Sequence, residues 1–175
     1  GASAYATVSP LTVSGAPGVQ YVFSNWNGDA SGTASPSDPI TMNSAKTATA
    51  TWKTQYYLTV SSPYDSPTPV SGWFDSGTGI TASVTSPTPG PAGSQYVCIG
   101  WTGTGSVPAS GSTSTVTFTI TQASSIVWTW KTQYQVIFDQ TGVSSDFAST
   151  VLTVDNINYT RSDLPTTPQF WWDQN

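Results

Sequence analysis

The chain has 175 residues and a formal charge of −5, yet only 7% of its side chains are charged, against about 25% in an ordinary soluble protein. All nine acids are aspartate, histidine and glutamate are absent, and three lysines and one arginine complete the charge. Without histidine no Ser-His-Asp or Cys-His nucleophile and no His-ligated metal centre can be built, and four cations are too few to hold a phosphate backbone.

Serine and threonine make up about 30% of the residues, beside 15 Gly, 13 Pro and 8 Trp. Strand and turn formers dominate and helix formers are scarce, which implies an all-β chain. No apolar run approaches the ~20 residues that cross a bilayer. The single Cys98 forms no internal disulfide.

In chain order, residues 1–8 open the sequence. Asn25, Asn27 and Asp29 then alternate around Gly28 in the manner of an oxygen-ligand calcium loop. A plain loop is the favoured reading there, because the second copy of the pattern carries Gly100, Thr102 and Thr104 at those places. Partial alternation predicts a strand over 56–60, a Pro-rich turn over 63–69 and a second strand around Trp73 and Phe74. Phe74-Asp75-Ser76-Gly77-Thr78 is also the signature of pepsin-like aspartic proteases, whose chemistry needs a second aspartate sharing a proton. The only candidate, Asp173, lacks the Ser-Gly that would position it, so a turn at Asp75 capping backbone amides is preferred. Further strands are predicted at 80–84, 95–101, 114–120 and 126–130, separated by Gly/Pro/Ser turns.

The chain repeats itself. Thr51-Trp52-Lys53-Thr54-Gln55-Tyr56 recurs without change 78 residues later as Thr129-Trp130-Lys131-Thr132-Gln133-Tyr134. Gln20-Tyr21-Val22 and Trp26-x-Gly28 recur 75 residues later, and Trp73-Phe74-Asp75 matches Trp171-Trp172-Asp173. In phase, residues 54–131 form a complete module, 1–53 a module lacking its opening strands, and 132–175 the opening strands of a further one. The expected architecture is therefore a tandem of small antiparallel β-sandwich, Ig-like modules with incomplete ends. Gly1 aligns with Gly77, and so does Asn175. The partial modules would complete one another head to tail, either between chains as a strand-donated homopolymer or within a longer covalent array.

The blocks Tyr-x-Leu-Thr-Val at 56–60, Trp-Phe-Asp-Ser-Gly at 73–77, the Tyr21 to Asp29 block and the Lys46 to Trp52 block resemble the divergent internalin-type B-repeat. They look closest to tandem versions in large archaeal cell-surface proteins. Nearly the whole chain is covered, with 139–165 fitting least well. The resemblance implies an extracellular, structural or adhesive role and no particular ligand.

The expected assembly residues are Ala4, Tyr5, Ala6, Val8 and Val13 on one side, and Val136, Phe138, Phe170, Trp171 and Trp172 on the other. Asn158-Tyr159-Thr160 is the single N-glycosylation sequon. Partners are expected to be the chain itself or neighbouring modules, together with glycans; no enzyme activity, cofactor, metal, nucleic acid or membrane span is expected. Lys53 and Lys131 are read as solvated junction charges rather than isopeptide donors. Eight tryptophans also fit a sugar-binding platform, but six of them sit at repeat-equivalent positions, which favours core and junction packing. Trp128 and Trp172 are the least explained.

Overall fold

The chain forms strands, turns and one short 3₁₀ segment in a computed structural model that describes residues 2–166 and 170–174. Gly1 and Asn175, which mark the phase of the two partial modules, lie outside the described residues. In chain order the strands are β1 (Ser3–Ala4), β2 (Thr12–Ser14), β3 (Val19–Gly28), β4 (Ile40–Thr41), β5 (Ala48–Ser61), β6 (Gly72–Asp75), β7 (Gly79–Ser83) and β8 (Thr88–Pro89). They continue with β9 (Ser94–Thr104), β10 (Ser110–Gly111), β11 (Thr115–Thr119), β12 (Ser124–Val136), β13 (Thr150–Val154), β14 (Ile157–Thr160) and β15 (Phe170–Asp173). No α-helix occurs among the described residues, so the all-β expectation holds, and no helix is long and apolar enough to cross a membrane.

The predicted strands all form, but two boundaries move. Residues 48–61 are one uninterrupted strand, and so are 124–136. The repeated Thr-Trp-Lys-Thr-Gln-Tyr block lies in the middle of each. The last strand of one module is thus continuous with the first strand of the next, and the borders expected at 53/54 and 131/132 fall inside strands. β-branched and aromatic residues run through the block without a Gly or Pro to break it.

Two compact units result, neither following the module borders: residues 1–85 with 99–129, and 86–98 with 130–175. In the first unit, β3 pairs antiparallel with β2 and with β5. β5 then changes partners along its length. Residues 55–58 pair with β6, and residues 58–61 pair in parallel with residues 124–127 of β12. A short β1–β4 pair and a β7–β11 pair complete the unit. β7 is bridged on its other edge by Thr68, which exchanges two backbone hydrogen bonds with Ser83 at 3.0 and 2.7 Å.

Alternation along β7 and β11 turns Ile80, Ala82, Val116 and Phe118 inward, where they are buried. They share that fate with Leu58 of β5 and with Ile126 and Trp128 of β12, which are 0%, 0% and 2% exposed. Trp128, unexplained by the repeat, is therefore a core residue. Its indole N–H and that of Trp101 have no hydrogen-bond partner among the described residues, at a cost of about 1–3 kcal/mol each. A second cluster joins Phe23, Trp26, Ala30 and Ile40, with Ala6, Val8, Ala50 and Trp52 packed against it. There the Trp26 indole is satisfied, donating to the Ala34 carbonyl at 2.9 Å.

In the second unit, β8 pairs with the first residues of β9, and β15 pairs antiparallel with residues 133–136 of β12. Residues 139–165, which fit the repeat least well, contain the β13–β14 hairpin and the 3₁₀ segment Arg161–Asp163. Asp155 and Asn156 make the hairpin turn with positive φ, a conformation Asp and Asn tolerate. Phe138 packs edge-on against Phe170 and Trp172, with ring centres 5.6 and 5.7 Å apart.

Candidate module junctions

The residues that repeat without change meet in one arrangement, built twice. Pairing of β3, β5 and β6 brings Gln20, Gln55 and Asp75 into line across three neighbouring strands. The Gln20 amide donates to Gln55 Oε1 at 2.7 Å, and the Gln55 amide donates to Asp75 Oδ1 at 2.8 Å. Lys53, two residues back on the same face of β5, donates from Nζ to Asp75 Oδ2 at 3.0 Å. In the second unit Gln95, Gln133, Asp173 and Lys131 reproduce this ladder, with distances of 2.8, 2.7 and 2.8 Å in the same order.

The chemistry of the ladder is that of a latch. Each carboxylate accepts from an amide and an ammonium, and both donors favour its charged form. The Gln55 amide, followed by Lys53, holds Asp75 below the usual carboxylate range; Lys131, followed by Gln133, does the same for Asp173. Residue spacing alone pointed to the parts but not to the whole. The Asp75 side chain spans strands to Gln55 and Lys53 instead of capping the amides of its own turn. The turn itself is present, with Gly77 at φ +84°. Lys53 and Lys131 are ion-paired rather than merely solvated. The signal available was the joint recurrence of Gln20/Gln95, the Thr-Trp-Lys-Thr-Gln-Tyr block and Asp75/Asp173.

Among the described residues neither aspartate faces a second carboxylate; each faces lysine and glutamine. A proton-sharing pair needs one of its pKa values raised, and both of these are lowered. Asn25, Asn27 and Asp29 are likewise engaged by protein groups. Asn25 donates to Asn27, Asn27 donates to Thr51, and Asp29 accepts from the Thr47 N–H and Lys46 Nζ. The backbone N–H of Thr47, and then Lys46, lower the Asp29 pKa.

Residues 1–55 match the family model of the divergent InlB B-repeat domain. The resemblance carried by the sequence blocks is thereby shown for this part of the chain, and the match ends at Gln55, on the first ladder. Residues 54–131 share the recurring blocks with the matched part. No curated protein and no solved structure matches the chain.

Within the B-repeat match, β1 pairs with β4, and Ala4 lies opposite Ile40. Ala6 and Val8 are tied to Ser37 and Ser35 by hydrogen bonds of 2.8–3.0 Å, and Ala4, Ala6 and Val8 are half-buried. Tyr5, between them, falls on the opposite face and is 58% exposed. Val13 sits on the edge strand β2 and lines an open apolar hollow of about 300 Å³ with Tyr21 and Trp52. The structure thus does not gather Tyr5 and Val13 with the inward-facing set. In the second unit, Phe170, Trp171 and Trp172 of β15 pair with 134–136 of β12. The expected donor strand β15 is therefore already used within its own unit, while Val136 and Phe138 are half-buried. Asn158 lies exposed on β14, its Oδ1 accepting from the Thr153 hydroxyl at 2.8 Å. Among the eight tryptophans, Trp26, Trp101 and Trp128 are core, whereas Trp73 and Trp172 are 40% and 45% exposed.

Proposed function

We propose that this chain is a structural segment of an extracellular surface repeat protein, forming a filament or surface array by head-to-tail completion of modules. The observation that carries this is β5. One strand closes the first module by pairing with β3 and opens the second by pairing with β6 and β12. Leu58, on its opening half, is wholly buried. A module built this way takes part of its core from a strand that its neighbour also holds, and its stability becomes a nearest-neighbour property. Each module is read as a small Ig-like sandwich, its long-stranded sheet facing the short β7–β11 pair.

The low charge suits such an assembly, because like chains repel one another little. Completion takes place either with a neighbouring chain or with an adjoining covalent module. The ladder serves as a register pin rather than a catalytic pair, and we assign the chain no enzyme activity, cofactor or metal. Asn158 is proposed as a glycosylation site, on the hairpin that departs from the repeat. A carbohydrate-binding or adhesive role is the second reading, favoured only by the exposed Trp73 and Trp172.

Negative-stain electron microscopy combined with sedimentation tests the proposal. Long particles whose length grows with concentration are expected. Monodisperse compact monomers up to high concentration refute completion between chains, and a change in Trp fluorescence on adding polysaccharide to such monomers supports the second reading.

A further inference from the structure

We infer that a second copy of this chain docks by laying its residues 136–139 alongside residues 46–49, in parallel, with Phe138 opposite Ala48. This rests on the array reading and specifies its contact. The finished form of the contact exists inside the chain: residues 58–61 pair in parallel with 124–127, Val60 opposite Ile126. The 78-residue repeat makes 136–139 the counterpart of 58–61, and 46–49 the counterpart of 124–127.

Both counterparts fall short where their partner would lie. β5 continues to Ser61, but β12 stops at Val136, the equivalent of Leu58. β12 begins at Ser124, but β5 begins only at Ala48, the equivalent of Ile126. Strand structure extends as far as the backbone is paired, and an unpaired edge is a template for another chain. Burial tells the same story. Ile126 and Leu58 are wholly buried, whereas Ala48 is exposed and Val136 half-buried.

Side-chain size supports the register. The internal contact sets Val60 against Ile126; the proposed one sets the larger Phe138 against the smaller Ala48. One change offsets the other, which keeps the filled volume similar. The docked strand adds to the free edge of β5 and continues the β2–β3–β5 sheet.

Cross-linking of mixed single-cysteine chains tests the contact, in a Cys98→Ser background. Thr49 and Asp139 are exposed and correspond to the internal pair Val127 and Ser61; paired strands lie about 4.8 Å apart. Thr49→Cys chains mixed with Asp139→Cys chains are treated with a short bismaleimide. A severalfold excess of mixed over like-with-like dimers is expected, and none when Asp155→Cys replaces Asp139→Cys. No excess of mixed dimers overturns the inference. So does a Thr49→Cys/Asp139→Cys chain that yields only internally linked monomer. Long particles without mixed dimers leave the array reading standing and overturn this register alone; absence of both overturns the two together.

Discussion

Replacing Leu58 by alanine should cost far more than replacing Val136, although the two occupy the same place in successive copies of the repeat. Leu58 is 0% exposed, and a fully buried leucine truncated to alanine loses about 3–4 kcal/mol through transfer and cavity terms. Val136→Ala removes two methyl-sized groups at about 0.8 kcal/mol each when fully buried, hence about 0.8 kcal/mol at half burial. The expected difference is about 2–3 kcal/mol in dilute solution. Urea unfolding followed by Trp fluorescence measures it, since Trp128 in the first unit and Trp171 in the second both report. At concentrations where particles form, the Val136→Ala loss should roughly double as a neighbour covers the site. Equal losses for the two variants in dilute solution, or a Leu58→Ala loss below about 1 kcal/mol, would refute the idea that the opening strand is stabilised by the module it enters.

Acid should weaken the ladders in a defined direction. Asp75 and Asp173 titrate below the ordinary carboxylate value of 3.8 when folded, so their contribution is complete above that pH and is lost as pH falls through the lowered values. Calorimetric Tm should be flat from pH 7 to about pH 5 and drop below about pH 4, with a shallower drop in Asp75→Asn and Asp173→Asn. Lys53→Met should cost less than about 1 kcal/mol and nothing in high salt, because the Lys53–Asp75 pair is 56% and 41% exposed; a larger loss by urea titration would mean the latch is stronger than its exposure allows. Gly100→Ala should cost about 2 kcal/mol or more, since Gly100 lies at φ +140° and a methyl there overlaps the Gly111 carbonyl. A near-neutral Gly100→Ala melt would show that the antiparallel pairing of β9 with β10 yields freely.

Strand positions were legible because alternation and turn residues are local. Residues 114–120 show why: Val116, Phe118 and Ile120 alternate with threonine, and they are the buried ones. The joining of two modules within β5 was not legible, because it depends on neighbours far apart in sequence. The absence of Gly and Pro from residues 48–61 permits one long strand, but nothing in it says which half pairs with β3 and which with β6 and β12. The ladder was visible as recurring letters, but a role for Asp75 required β6 to be placed beside β5, and the local Ser-Gly following it argued only for a turn. Trp128 stood outside the alignment because its first-copy equivalent is Ala50, so identity across repeats could not mark it as core. The different settings of Tyr5 and Val13 are geometric: face alternation separates Tyr5 from Ala4 and Ala6, and Val13 lies on β2, in a different sheet from β1.

A strand held by two modules also decides how the molecule bears a load. Tension applied lengthwise along β5 acts on its bonds to β3 and to β12 together, sliding the ladders rather than peeling them. Many bonds must then fail at once, and a tug at one module is felt in the next before either opens.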